Sequence, residues 1–269
     1  VVFIYGMKIL FGLVAVSLLL YAALCAGLYF RQERLLFYPT VLPPAFRFHF
    51  VGPFEERWIT AADGKRLHGL LFKVPHAKGV IFYLHGNGGA LDSWGEVAPT
   101  YTALGYDVFM LDYRGYGKSE GTISSQAQFL GDVEAAYQPL AQQYGEGRTV
   151  ILGHSIGTGP AAWLAARHQP KLLILQAPYY SMTDLVRRLY PFVPGFVLRY
   201  PLPTNEVIGQ VKAPVVLFHG RQDAVISYES SVKLQQLLGA NGQLVILEGV
   251  GHSSLTDNAV YRQKLAELL

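Results

Sequence analysis

The sequence predicts an α/β fold: an eight-stranded, mostly parallel sheet with helices on both faces. Three observations carry that prediction. Short, wholly apolar runs alternate with longer stretches of helical pattern, as expected for strands buried on both faces and joined by crossover helices. Glycine and polar residues gather at the C-terminal ends of those runs, in HGNGG, DYRGYG, GHSIG, HGRQD and EGVGH. Finally, 51% of the 269 residues are hydrophobic and only 15% charged, with 28 Gly and 15 Pro spread without a short period. That composition excludes a disordered or collagen-like chain.

Taken in order, residues 9–30 form 22 consecutive uncharged positions, between Lys8 and Arg31. As a helix they reach roughly 33 Å, enough for a hydrocarbon core of about 30 Å. A cleaved signal is the rival reading, but its apolar region is shorter, and Leu24-Cys25-Ala26 puts a bulky residue where cleavage wants a small one. The expectation is an uncleaved single-pass anchor over residues 1–34, with Met7-Lys8 resembling a natural start. Lys8 on one side is nearly balanced by Arg31 and Arg34 on the other. The body of the chain is expected on the translocated, periplasmic or extracellular side, because long domains cross largely regardless of such counts. A Pro-rich linker follows at 35–49, then one domain at 50–269.

Within that domain, 55–60 and 66–74 read as an antiparallel pair around the turn at Asp63-Gly64. The six apolar runs 80–84, 108–111, 150–152, 172–175, 215–218 and 244–247 read as parallel strands. Helices are expected near 92–104, 126–144, 157–168, 227–238 and 255–269. Residues 179–210 interrupt the alternation with aromatics, Pro and Arg, and read as an insertion over the sheet edge. Tyr179, Tyr190, Phe192 and Phe196 there supply apolar area for an acyl chain or for a packed lid. Net charge is +3 with no basic run, so no nucleic-acid partner is expected. The lone Cys25 excludes an internal disulfide framework and a cysteine-ligated zinc site.

Gly153-His154-Ser155-Ile156-Gly157 lies between a strand and a helix. That setting suits a nucleophilic serine on a sharp turn with a helix N-terminus behind it. A serine hydroxyl needs a base, and the base an orienting acid. His252 and Asp223 follow the last two strands, so both reach the edge that carries Ser155. His154 is the rival base, expected to point away from Ser155; Asp112 and Asp184 are rival acids. Asp112 is expected to pair with Arg114, and His85 and His219 to brace loops. Two backbone donors are expected to receive a developing oxyanion, the amides of Ile156 and Asn87, with Gly88 as the alternative to Asn87. The plainer reading of both glycine loops is tight turns without chemistry.

These motifs resemble the α/β-hydrolase superfamily over residues 50–269, and within it the membrane-anchored serine hydrolases that share LHGN, DYRGYGKSEG and GHSIG. That branch includes bacterial esterases and relatives of protein depalmitoylases. One departure is APYYSM at 177–182, where relatives tend to carry a Pro-Phe-Thr-Ser-like run. The resemblance implies acyl transfer to Ser155, with His252 as base and then acid, Asp223 orienting it, and no metal or organic cofactor. The expected substrate is a small-molecule or lipid-like ester of a hydrophobic acyl group. A thioester on an acylated protein, a peptide, and a hydrolase-fold binding protein without turnover remain alternatives.

Overall fold

A computed structural model describes residues 2–269. Eight strands form one sheet: β1 (Phe54–Thr60), β2 (Arg66–Phe72), β3 (Val80–Leu84), β4 (Asp107–Leu111), β5 (Thr149–His154), β6 (Leu172–Gln176), β7 (Val215–Gly220) and β8 (Gly242–Leu247). Their spatial order is β8-β7-β6-β5-β3-β4-β2-β1. The leading hairpin is antiparallel as expected, but β2 is also antiparallel to β4, so β2 alone opposes the common direction. The remaining neighbours are parallel.

The apolar runs divide by alternation between two faces. Phe82, Ile151, Leu173 and Leu217 pack on one side with Phe129, Leu164 and Leu234 from helices α2 (Gln126–Tyr144), α3 (Thr158–Ala165) and α5 (Glu229–Leu238). Helix α1 spans Val2–Phe30 and α4 spans Met182–Leu189. Tyr83, Leu152, Ile174 and Phe218 pack on the other face with Tyr101, and with Tyr261 and Leu265 of α6 (Ala259–Leu268). Each such side chain contributes on the order of 2 kcal/mol by leaving water.

Three details differ from the sequence reading. The helix expected near 92–104 is three short pieces, Leu91–Trp94, Gly95–Val97 and Ala98–Thr102. Gly95 lies directly against the Phe50 ring, leaving no room for a side chain, and Pro99 has no amide to extend a helix across the break. The 35–49 stretch, expected as a linker, packs on the body. Phe37, Leu42 and Phe48 are buried, and Tyr38–Pro39 pairs in parallel with Gly88–Gly89. Its prolines suggested a spacer, whereas its aromatic and Leu residues supply the burial. Arg114 does not pair with Asp112. The turn after β4 sends its guanidinium to Asp132 (2.7 Å) and Asp63 (2.7 Å). Asp112 instead accepts the Leu91 amide at 3.0 Å and lies 3.5 Å from His68.

Helix α1 holds a 28-residue stretch, Phe3–Phe30, with mean hydropathy 2.5, long and apolar enough to cross a membrane. Only Cys25 and Leu28 of its described side chains are partly covered, one helical turn apart on one face. Leu28, with Leu24, lines a cavity against Val193 and Val197 of the 179–210 insertion. The Tyr21 hydroxyl donates to the Phe192 carbonyl at 2.8 Å. Just beyond α1, the buried Gln32 amide donates to Val197 O (3.0 Å) and accepts from Arg199 N (2.7 Å).

Candidate active site

Ser155 sits at the turn between β5 and α3 with φ +51°, a left-handed conformation that costs a serine about 1–2 kcal/mol. The glycines on either side make the turn possible. A Cβ on Gly157 would collide with the Leu84 carbonyl of β3, and one on Gly153 would meet Gly157 and Ala161. The serine is thereby lifted off the sheet edge with the start of α3 behind it.

Three side chains distant in sequence meet there. His252 Nε2 lies 2.9 Å from Ser155 Oγ, and His252 Nδ1 lies 2.7 Å from Asp223 Oδ2. Asp223 is ionised and can only accept, so the imidazole proton sits on Nδ1 and Nε2 is free to accept from the serine hydroxyl. Asp223 Oδ1 accepts the amides of Val225 and Ile226, both at 2.8 Å. Burial pushes the Asp223 carboxyl up, but hydrogen bonds from His219, His252 and the Ile226 amide outweigh it and hold it well below the usual carboxylate range. The buried His219 braces this loop, since its Nε2–H donates to Ile226 O at 2.8 Å and Ser231 Oγ meets its Nδ1 at 2.6 Å.

His154 does not bond Ser155, but neither does it point away from the site. It lines the same cavity, with its ring 5.5 Å from that of His252 and 5.3 Å from Trp94. Burial, reinforced by the neighbouring His252, drives its pKa down to about 3, so it is neutral. Asp184 lies away from the meeting point, 3.3 Å from Lys233.

The Gly-rich loop after β3 forms the opposite wall, and four of its carbonyls are held by side-chain donors. His85 O accepts from Tyr113 OH (2.8 Å), Gly86 O from His85 Nδ1 (2.7 Å), Asn87 O from Tyr116 OH (2.8 Å) and Gly88 O from Trp94 Nε1 (2.7 Å). Across the site, Tyr179 OH donates to Ile156 O at 3.1 Å. Sequence reasoning missed these four aromatic donors; the Tyr pair within DYRGYG was the visible signal. Asn87, Gly88 and Ile156 line a cavity of about 550 Å³ together with Ser155 and His252. The rest of its wall is mainly apolar, including Met182, Leu185, Val186 and Leu189 of α4, and it contains no acidic or basic side chain except the histidines. The arrangement can present an activated hydroxyl to an uncharged, apolar acyl group.

Residues 75–207 match the family described as "Serine aminopeptidase, S33", and residues 199–269 match one described as "TAP-like protein". An uncharacterised protein of Mycobacterium tuberculosis is 29% identical over 247 residues, covering 89% of this chain and 87% of that one. Human alpha/beta hydrolase domain-containing protein 17B is 30% identical over 201 residues, 72% of this chain and 67% of that protein. A solved esterase from Pyrococcus furiosus, Pf2001, superposes with a TM-score of 0.67 at 19% identity, covering 85% of this chain and 98% of that one.

Proposed function

Because the chain belongs to the α/β-hydrolase superfamily, we propose that it is a membrane-anchored serine hydrolase that cleaves carboxylic esters or thioesters of hydrophobic acyl groups. The observation that carries this reading is the Ser155–His252–Asp223 chain of hydrogen bonds, at 2.9 and 2.7 Å.

In the proposed reaction His252 Nε2 takes the Ser155 proton as Oγ bonds to the acyl carbon. The oxyanion is received by the Ile156 and Asn87 amides. The protonated imidazole then gives its proton to the leaving alcohol or thiol as the carbon–oxygen or carbon–sulfur bond breaks. Water, deprotonated by the same imidazole, releases the acid and restores Ser155. Asp223 stays ionised throughout and stabilises the imidazolium.

An aminopeptidase must hold a substrate ammonium, and no carboxylate lines the cavity to do so. Its apolar wall fits a neutral acyl chain instead, and the esterase among the similar folds is consistent with that. The helix α1 is proposed to hold the enzyme at a bilayer, where such substrates are concentrated.

A fluorophosphonate probe on detergent-solubilised protein, followed by p-nitrophenyl esters of increasing chain length, tests the reading. Ser155→Ala and His252→Ala should keep the fold, lose labelling, and lose at least about a thousandfold in kcat. Labelling that persists in Ser155→Ala would defeat the proposal, as would a folded wild type that neither labels nor turns over.

A further inference from the structure

The cavity above Ser155 does not end at the insertion. A second cavity of about 340 Å³ shares Leu35, Leu36, Tyr38, Val186 and Tyr190 with it as a common wall. On its far side lie Leu24 and Leu28 of α1, facing Phe192, Val193 and Val197 of the insertion. Its one amide side chain, Gln32, is already engaged with Val197 and Arg199. The two cavities are therefore adjacent, and their apolar linings reach together from the nucleophile to the helix proposed to sit in the membrane.

The depth of that far end follows from the sequence. A bilayer takes about 20 helical residues, and residues 9–30 are the uncharged stretch that supplies them. Tyr21, nine positions before Phe30, then lies roughly 13 Å inside the apolar layer. Its hydroxyl holds the Phe192 carbonyl, a group that would otherwise go unsatisfied in hydrocarbon. Phe192 and Phe196 beside it are 57% and 82% exposed, and Leu189 and Tyr190 are also exposed. Such an apolar cluster is costly in water and at ease in lipid.

We infer that these two cavities form one acyl channel, walled on one side by the anchor helix, which receives a long acyl chain directly from the bilayer and delivers its ester or thioester carbonyl to Ser155. The inference rests on the serine-hydrolase reading and names its substrate class: a bilayer-resident long-chain acyl compound.

The test uses the full chain in phosphatidylcholine vesicles, comparing p-nitrophenyl palmitate in the bilayer with p-nitrophenyl acetate in water. Leu28→Trp and Val193→Trp fill the second cavity from opposite sides. Each should lower the palmitate-to-acetate turnover ratio at least about tenfold. A ratio unchanged in both, with Ser155 still labelled, would mean that the cavity holds a structural lipid or nothing; the channel would fall and the hydrolase reading stand. A wild type that hydrolyses neither ester and does not label would take both down. Should either variant fail to fold, a fluorophosphonate carrying a long alkyl chain with a terminal diazirine reads the wild type. Cross-links to the peptide containing Leu24 and Leu28 support the channel, and cross-links confined to the catalytic body overturn it.

Discussion

The four carbonyls of His85, Gly86, Asn87 and Gly88 are each tied back by an aromatic or imidazole donor. A loop of Gly and Asn would otherwise sample many conformations, so these donors fix the position of the amide proposed to receive an oxyanion. On the proposed role of the Asn87 amide, Tyr116→Phe removes one such tie. It should lower kcat about tenfold, near 1.4 kcal/mol, with KM nearly constant, because the ground-state acyl group does not depend on that amide. A loss confined to KM would assign Tyr116 to substrate binding instead. His154 offers a second test. The unfolded chain takes up its proton near pH 6.5, whereas the native ring resists until about 3. Stability is therefore lost as pH falls through that window, on the order of 4 kcal/mol by its acid end. His154→Gln should flatten the dependence of urea midpoints on pH between 6.5 and 4 relative to wild type; parallel curves would show that the ring is not held neutral. At this scale the sequence shows Ser155, Asp223 and His252 through their places at strand ends. It does not show the tyrosine ties or the Asp112 partners, because these link a loop to side chains whose directions only the folded turn decides. Arg114, two residues from Asp112, leaves on the other side to meet Asp63 and Asp132.

Elements were legible where one period dominates. Six of the eight strands, β3 to β8, stand at the apolar runs, since a strand buried on both faces, as β3 to β7 are, needs an unbroken apolar stretch and little else; the largely exposed β1, FEERWIT, was legible only through its hairpin turn. The helical segment over 91–102 was less legible, because its breaks come from Gly95 packing on Phe50, a contact between distant residues. The 179–210 insertion was visible as an interruption, but its mooring was not. Gln32 bonds the Val197 carbonyl and the amides of Arg199 and Tyr200, and Glu33 bonds Tyr200 OH at 2.8 Å and pairs with Arg199 at 2.6 Å. A polar residue just past an apolar helix reads as its solvated end, yet Gln32 is buried. Gln32→Ala should leave those backbone groups unpaired and loosen the insertion by about 2 kcal/mol. Limited proteolysis should then cut within residues 182–198 roughly thirtyfold faster, with cutting elsewhere unchanged. A uniform rise along the chain would show that Gln32 supports the global fold rather than the insertion.

For the whole molecule, the sheet order places the ends of β3, β5, β7 and β8 along one edge, so the segments that follow them bring Asn87, Ser155, Asp223 and His252 together. Ligands in open α/β sheets bind at that edge, which is why strand-end motifs were enough to assemble a candidate site from sequence. The relation of α1 to the body was not readable in this way. An apolar helix announces that it can cross a membrane but not which of its faces docks, and here Tyr21 and Leu28 lean on the insertion. With α1 in a bilayer, that attachment makes the mouth of the site part of a lever. A helix in a thin membrane tilts and in a thick one stands upright, at a cost of fractions of a kcal/mol per Å of mismatch. Because Phe192 is fastened to Tyr21 rather than joined through a slack tether, the insertion must follow. Turnover of a lipid-borne ester should therefore vary with the chain length of the surrounding phosphatidylcholine, while turnover of a water-soluble ester by the same vesicles stays level. Lipid thickness would then act as a rheostat on the enzyme without binding to it as an effector.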